Sequence, residues 1–362
     1  MLQQRLSLLR AAMAERNLPA LLVSAAANRR YLSGFTGSSG TLLITPEHAL
    51  LFTDGRYTIQ AAREAPAFTL HETAAPERSL HMLLTQTVSD LNLDLVGFEA
   101  AHVSVAEHYA LSKSFFDTPV ELEPVDGLVE ALREVKDADE LATLRRAVEV
   151  TDAAFLAVLP HLRPDMTERQ VAWMLEVAMR ERGAEALAFP IIVAAGLNSA
   201  LPHAHPGDAP LGEGRPITID MGARVDGYHA DMTRTITLGS PDATFQKIYA
   251  IVLEAQQRAI AALRAGLRCN AADAIARDHI AAAGYADAFR HSLGHGVGLD
   301  IHEGPSLRRA KPGHEASGPR LRAGNVVSIE PGIYLDDWGG VRIEDLAIIT
   351  EDGCEVLSQV PT

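Results

Sequence analysis

Two aspartates near the middle of the chain stand where a buried strand and its return are expected. Asp220 ends an apolar run, and Asp231 follows eleven positions later in a Thr-rich segment. A carboxylate at the end of a buried strand is costly to desolvate unless it is paired, hydrogen-bonded or bound to a cation. An Asp226-Gly227 turn signal lies between them, so we predict a hairpin that sets Asp220 across from Asp231. Turn capping or exposed salt bridges are the alternative for such a pair.

The C-terminal third adds two glutamates and a histidine. Glu330 follows a second apolar run, and Glu344 stands in a predicted strand flanked by apolar residues. His295 lies between glycines, which let a backbone approach a bound ion closely. Ordinary core histidines, and a surface ion pair of Arg342 with Glu344, are the alternatives. The candidate metal ligands are therefore four carboxylates and one imidazole, namely Asp220, Asp231, His295, Glu330 and Glu344.

Oxygen-rich ligation of this kind favours hard or borderline divalent ions. We expect Mn²⁺ first, with Zn²⁺, Co²⁺ or Fe²⁺ as alternatives. Five protein ligands are more than a single open catalytic zinc uses. Two ions about 3.5 Å apart would use all five and hold a hydroxide nucleophile between them.

An internal repeat explains how ligands from distant parts of the sequence can meet. The segments 162–183 and 263–284 each predict a helix, at a constant offset of 101 residues. Later landmarks keep the same order, and His203 roughly parallels His302. A duplicated domain with pseudo-two-fold symmetry brings corresponding strands together, so we expect the four carboxylates at its centre. Chance similarity between two amphipathic helices is the alternative.

Residues 1–127 are predicted to form a smaller α/β domain. Short apolar runs bounded by turn residues predict buried strands of a mixed sheet at residues 20–23, 40–44 and 49–53. The composition then shifts, and a long amphipathic helix begins near Asp137. The second domain is therefore placed at residues 128–362.

The composition argues against several classes of protein. The 362 residues include 47 acidic and 32 basic side chains, and the formal net charge of -15 would repel nucleic-acid phosphates and anionic lipid. We find no signal h-region and no segment long enough to span a bilayer. Cys269 and Cys354 are too few for a disulfide framework, which fits a reducing compartment. The expected location is cytoplasmic, without nucleic-acid or membrane partners.

The motifs around the candidate ligands resemble those of the pita-bread metallopeptidases, which include methionine aminopeptidase, Xaa-Pro aminopeptidase, prolidase and creatinase. The resemblance covers essentially the whole chain, and the ligand motifs occur in the family's order: Asp220-Met221-Gly222, Asp231-Met232-Thr233-Arg234, Gly294-His295-Gly296, Glu330-Pro331-Gly332 and Arg342-Ile343-Glu344-Asp345. It implies an α+β pita-bread catalytic domain behind the N-terminal α/β domain. Creatinases and non-enzymatic relatives lack the intact metal set, and methionine aminopeptidases generally lack the N-terminal domain.

The activity that this resemblance implies is removal of an N-terminal residue that precedes proline, with two divalent ions. The segments 28–40 and 52–57 look more like aminopeptidase P than prolidase, so Xaa-Pro aminopeptidase is the first expectation. Xaa-Pro dipeptidase is the alternative, because the cationic loop 306–314 could hold a substrate carboxylate. A peptide-binding relative without catalysis and a dinuclear phosphoesterase are the further alternatives.

The resemblance also implies roles for individual residues. Glu330 would be the general base, and Arg342 would order the ligand acids and assist proton movement. His203 and His302 look like the family's outer histidines, which steady the oxyanion and contact the proline side; His205 is the alternative to His203. The expected partners are short peptides with proline at the second position. A homodimer is implied, since an N-terminal domain commonly approaches the partner's active site in this family.

Overall fold

The structure, a computed structural model, describes residues 2–74, 78–314 and 316–362. The chain forms two compact units, Met1–Arg133 and Glu134–Thr362. The boundary that we place at residues 127–128 from sequence lies just before Leu128–Arg133, the last helix of the first unit. Among the described residues, no helix combines the length and the apolar character needed to cross a bilayer.

The first unit contains a six-stranded mixed sheet. Its strands are β1 (Leu21–Val23), β2 (Thr41–Ile44), β3 (Ala49–Asp54), β4 (Thr69–Thr73), β5 (Leu95–Glu99) and β6 (Glu121–Val125). They lie in the order β4-β3-β2-β1-β5-β6; β2 is antiparallel to both of its neighbours and the other pairs are parallel. The three strands predicted from sequence correspond to β1, β2 and β3, so that prediction is confirmed.

Helices accompany this sheet as an α/β domain requires. They are α1 (Leu2–Glu15), α2 (Ala26–Ser33), α3 (Thr58–Glu64), α4 (Leu80–Asp90), α5 (Val105–Ser114) and α6 (Leu128–Arg133). Leu84 and Val88 of α4 and Leu111 of α5 pack in one cluster with apolar side chains of the sheet such as Phe52 and Phe98. Burial of these apolar side chains stabilises the first unit, because each contributes roughly 1.5–3 kcal/mol.

The described residues of the second unit form four long helices and thirteen short strands. The helices are α7 (Ala138–Val158), α8 (Glu168–Glu181), α9 (Ala243–Ala262) and α10 (Cys269–Ala282). The strands are β7 (Ala186–Leu187), β8 (Ile192–Ala195), β9 (Ile217–Met221), β10 (Ala223–Val225), β11 (Tyr228–His229), β12 (Met232–Ile236), β13 (Gly294–Gly296), β14 (Glu303–Leu307), β15 (Val326–Ile329), β16 (Gly332–Leu335), β17 (Gly339–Arg342), β18 (Asp345–Ile349) and β19 (Cys354–Val356).

The two halves of this unit repeat one another. Helices α8 and α10 have 14 residues each and begin 101 positions apart, as the sequence offset predicts. One hydrophobic cluster joins α7 and α8 to β9, and a second joins α9 and α10 to β15 and β18. Antiparallel strands β12-β9-β8 form a sheet in the first half and β14-β13-β15-β18-β19 in the second. Each half therefore buries its own helix pair against its own sheet.

The hairpin that carries the aspartates differs in register from our prediction. Thr233, not Asp231, lies opposite Asp220. The turn forms at Asp226-Gly227, where both residues have positive φ values of 45° and 75°. A two-residue turn fixes the pairing of the strands on either side of it. Asp220, six positions before Asp226, therefore pairs with Thr233, six positions after Gly227. Asp220 and Asp231 are thus diagonal neighbours on one face of the hairpin.

Two acids predicted to lie within strands instead lie between strands. Asp231 follows β11 and precedes β12, and Glu344 follows β17 and precedes β18. The backbone N–H of Glu344 donates to the carbonyl oxygen of Thr233 at 3.1 Å, which joins the two halves of the unit at this point. Both acids therefore occupy breaks in regular pairing, where the chain can turn a side chain toward a central site.

Candidate metal centre

Segments within or next to the strands of the second unit bring the predicted ligands to one cleft. The cleft has a volume of about 570 Å³. Asp220 lies in β9, His295 is the middle residue of β13, and Glu330 directly follows β15. All five predicted ligands line the cleft: Asp220, Asp231, His295, Glu330 and Glu344.

Glycines allow the close backbone packing around His295. A Cβ atom on Gly294 would overlap the carbonyl oxygen of Ser328, and one on Gly296 would overlap that of Gly304. Any other residue at these positions would push β13 away from its neighbours. The Gly-His-Gly motif therefore sets the depth of the imidazole in the cleft.

The imidazole of His295 faces two carboxylates. Its Nε2 lies 3.6 Å from Oδ2 of Asp231 and 3.4 Å from Oε1 of Glu330. Nδ1 lies 3.0 Å from the carbonyl oxygen of Gly296, which assigns the ring proton to Nδ1 and directs the Nε2 lone pair toward the acids. One donor atom from each of Asp231, His295 and Glu344 lies within 4.8 Å of the others, so these three residues can hold a metal ion.

Three of the carboxylates in the cleft have raised pKa values. Burial raises the pKa of Asp231 and of Glu344 well above the ordinary values, and repulsion among the neighbouring carboxylates adds to the effect. Burial also raises the pKa of Glu330 to about 7. Oδ1 of Asp220 is buried and has no hydrogen-bond partner among the described residues. Buried acids with too few donors fit a site that divalent cations neutralise.

Arg342 is hydrogen-bonded to this acidic cluster, directly to Asp220 and through Thr233 to Glu344. Its Nη2 donates to Oδ2 of Asp220 at 2.6 Å, and its Nε donates to the hydroxyl of Thr233 at 3.0 Å. That hydroxyl in turn donates to Oε2 of Glu344 at 2.6 Å. The guanidinium is 4% exposed, so the whole chain of hydrogen bonds is shielded from water. Arg342 and Thr233 therefore orient acids from both halves of the unit.

Three further residues, Tyr334, Ser328 and His291, support the site and are not among the predicted site residues. Tyr334 accepts a hydrogen bond from Nη1 of Arg342 at 2.9 Å, and its hydroxyl lies 2.9 Å from Nε2 of His291. Ser328 accepts from the backbone N–H of His295 and donates to Oε1 of Glu330. His291 stands four positions before His295 in the sequence, but Tyr334 and Ser328 carry no comparable signal.

The outer histidines stand at the more open part of the cleft. His203, His205 and His302 are all exposed and all line it. The ring centroid of His302 lies 4.3 Å from that of His295. Ser306 from the cationic loop also lines the cleft. Arg308 and Arg309 of the same loop are exposed, and they are not among the described residues that line the cleft.

Comparison with known proteins agrees with both units. Residues 5–135 match the creatinase/prolidase N-terminal domain. An Xaa-Pro dipeptidase from Pyrococcus furiosus is 34% identical over 360 residues, which cover 99% of this chain and 98% of that protein.

Solved structures give the same result. The structure of an Xaa-Pro dipeptidase from Bacillus anthracis has a TM-score of 0.94 and 38% identity, and the match covers 100% of this chain and 99% of that one. An X-Pro aminopeptidase from Thermotoga maritima has a TM-score of 0.87 and 38% identity, with 96% and 98% covered.

These similarities confirm the predicted α+β pita-bread fold, with its α/β N-terminal domain. Residues 142–351 match metallopeptidase family M24. We therefore conclude that this chain belongs to metallopeptidase family M24.

Proposed function

We propose that this protein hydrolyses the bond between an N-terminal residue and a following proline, with the Xaa-Pro dipeptide as its preferred substrate. The observation that carries the proposal is the convergence of four carboxylates and one imidazole in a single cleft of a family M24 chain. The relatives from Pyrococcus furiosus and Bacillus anthracis are both named Xaa-Pro dipeptidase, which supports a dipeptide as the preferred substrate. Our first expectation from sequence, Xaa-Pro aminopeptidase, becomes the second candidate.

The four carboxylates and one imidazole would hold two divalent ions, Mn²⁺ first and Zn²⁺ or Co²⁺ as alternatives. When bound, such a pair supplies Lewis-acid polarisation of the scissile carbonyl and lowers the pKa of the attacking water. The orphaned Oδ1 of Asp220 and the repulsion among the acids support this assignment. Arg342 and Thr233 would hold Asp220 and Glu344 in the orientation that ligation needs.

Glu330 would serve as the general base. Burial raises its pKa to about 7, which would suit a group that accepts a proton from water and then passes it to the leaving nitrogen of proline. Ser328 donates to one of its oxygens at 3.1 Å and so fixes the direction of the other. A proline nitrogen carries no hydrogen within a peptide, so it must gain this proton before the amine can leave.

His203 and His302 would donate to the oxyanion as it develops and contact the proline ring. Both lie on the exposed part of the cleft, on segments from opposite halves of the repeat. Preorganised N–H donors at such a position stabilise the tetrahedral state more than the planar carbonyl. In a dipeptide the same imidazoles would stand near the free carboxylate of proline.

Two candidates remain because similar structures carry both names. The aminopeptidase from Thermotoga maritima has the same 38% identity as the dipeptidase from Bacillus anthracis. The two activities differ in whether the group after proline is a charged carboxylate or a further peptide. The test compares kcat/KM for Leu-Pro and Leu-Pro-Ala with added Mn²⁺.

A clear preference for Leu-Pro is the expected result. A preference for the tripeptide would overturn the dipeptidase assignment in favour of the aminopeptidase. Failure to cleave either peptide, with metal bound, would reject a peptidase acting on proline and favour a non-catalytic binding protein. A homodimer and a cytoplasmic location stay predictions of the sequence analysis.

A further inference from the structure

Glu168 is a buried acid that the proposed chemistry does not use. It is the first residue of α8, and it is 1% exposed. Its Oε1 accepts from the backbone N–H of Ala195 at 2.7 Å, and its Oε2 accepts from that of Gly207 at 2.7 Å. The side-chain amide of Asn198 donates to both oxygens, at 3.0 and 2.9 Å. These donors, with the positive end of the helix dipole, stabilise the buried charge.

The donors come from the two ends and the inside of one segment, residues 195–207. The amide of Asn198 also lies 3.3 Å from the carbonyl oxygen of His205, which ties the inside of the segment to the same point. His203 lies in this segment and lines the cleft. One carboxylate thus closes a loop of 13 residues that presents a histidine to the substrate.

We propose that Glu168 is a positioning residue for His203. By holding both ends of segment 195–207, it fixes the distance between His203 and the reacting carbonyl. The proposal rests on the proposed function insofar as His203 acts on the substrate. Misplacement of a catalytic group by about 1 Å can cost on the order of 10²-fold in rate. Loss of the Glu168 anchor should therefore lower the rate even though Glu168 itself does not touch the substrate.

The segment also has anchors that do not involve Glu168. The hydroxyl of Ser199 accepts from the backbone N–H of Gly340 at 2.8 Å. Nη1 of Arg342 donates to the carbonyl oxygen of Pro202 at 3.3 Å. We expect these contacts to persist when Glu168 is changed, so the segment should loosen rather than unfold.

The variant Glu168→Gln tests the anchor with almost no change in shape. One carboxylate oxygen becomes an NH₂ group, which meets N–H donors and must release either Ala195 or Gly207. The matched control is Glu176→Gln on the same helix, whose side chain forms an exposed ion pair with Arg180. We expect faster amide hydrogen exchange in 195–207 for Glu168→Gln only, with Mn²⁺ binding unchanged in both variants.

A double-mutant cycle separates positioning from a merely structural role. We expect Glu168→Gln to lower kcat/KM on the order of 10²-fold in the wild-type background and by less than threefold in a His203→Ala background. Equal losses in both backgrounds would contradict the proposal, as would full activity of His203→Ala. If Glu168→Gln does not fold, Asn198→Ala replaces it in the same cycle, with the same expected non-additivity.

The exchange measurement distinguishes this proposal from the proposed function. Wild-type protein that cleaves no Xaa-Pro peptide contradicts the proposed function. Exchange in 195–207 that stays unchanged in Glu168→Gln contradicts the anchoring role of Glu168, whether or not the wild type is active.

Discussion

Arg342 donates from Nη2 to Oδ2 of Asp220 at 2.6 Å, while Oδ1 of the same carboxylate is buried without a hydrogen-bond partner among the described residues. The guanidinium occupies one oxygen and orients the other toward the cleft. A carboxylate held in this way is arranged to bind a cation, because its free oxygen has no competing donor.

The variant Arg342→Lys tests this arrangement. Lysine keeps the charge but loses the planar set of donors that reaches Asp220, Thr233 and Tyr334 together. We expect Mn²⁺ affinity and kcat/KM to fall by roughly 10–100-fold. The matched control is Arg290→Lys, which changes an exposed ion pair with Asp336. Unchanged metal affinity in Arg342→Lys would contradict the orienting role.

Thr233→Val removes one hydroxyl between the two halves of the repeat. The hydroxyl accepts from Nε of Arg342 and donates to Oε2 of Glu344, so its loss removes a buried hydrogen-bond partner from each of these two atoms. We expect roughly tenfold weaker Mn²⁺ binding, measured by calorimetric titration of metal-free protein. The control Thr237→Val alters a half-buried threonine with a long contact to its neighbour's carbonyl oxygen, and it should bind Mn²⁺ as the wild type does.

Glu330→Gln tests the general base. The amide retains an oxygen that can bind metal but cannot accept the proton from water, so turnover should fall by about 10²–10⁴-fold or more while most of the metal stays bound. The measurements are kcat with Leu-Pro and metal content by elemental analysis. Turnover near that of the wild type would exclude Glu330 as the base.

His203→Ala and His205→Ala test which outer histidine serves the reaction. Both line the cleft, so this feature does not distinguish them. We expect His203→Ala to lower kcat/KM by about 10²–10³-fold, the usual loss for an oxyanion donor, and His205→Ala to have the smaller effect. The reverse ranking would show that His205 has the role that we propose for His203.

Local patterns predict much of this fold. The strands β1 to β3, the long helix α7 and the offset between α8 and α10 all follow from apolar runs and helical periodicity. The Asp-Gly pair also predicts the turn at Asp226-Gly227. The prediction that Asp231 lies opposite Asp220 is wrong, because a two-residue turn at this position pairs Asp220 with Thr233.

The supporting residues of the site could not be predicted in the same way. Tyr334, Ser328 and Glu168 act through hydrogen bonds, and the partners of Glu168 lie up to 39 positions away in the sequence. Such contacts depend on how strands and loops pack, and no local periodicity encodes them. The candidate ligands Asp220 and Glu330, by contrast, stand at the ends of apolar runs, where their cost of burial makes them conspicuous.

We propose that five side chains of this chain hold two divalent ions that its peptidase activity requires. The most direct measurement is a Mn²⁺ titration of metal-free protein, with hydrolysis of Leu-Pro followed on the same samples. We predict two ions per chain, activity that rises as they bind, and loss of at least one ion in Glu344→Gln. Full hydrolysis by protein that binds less than one ion per chain, or by protein kept in excess chelator, would contradict the account.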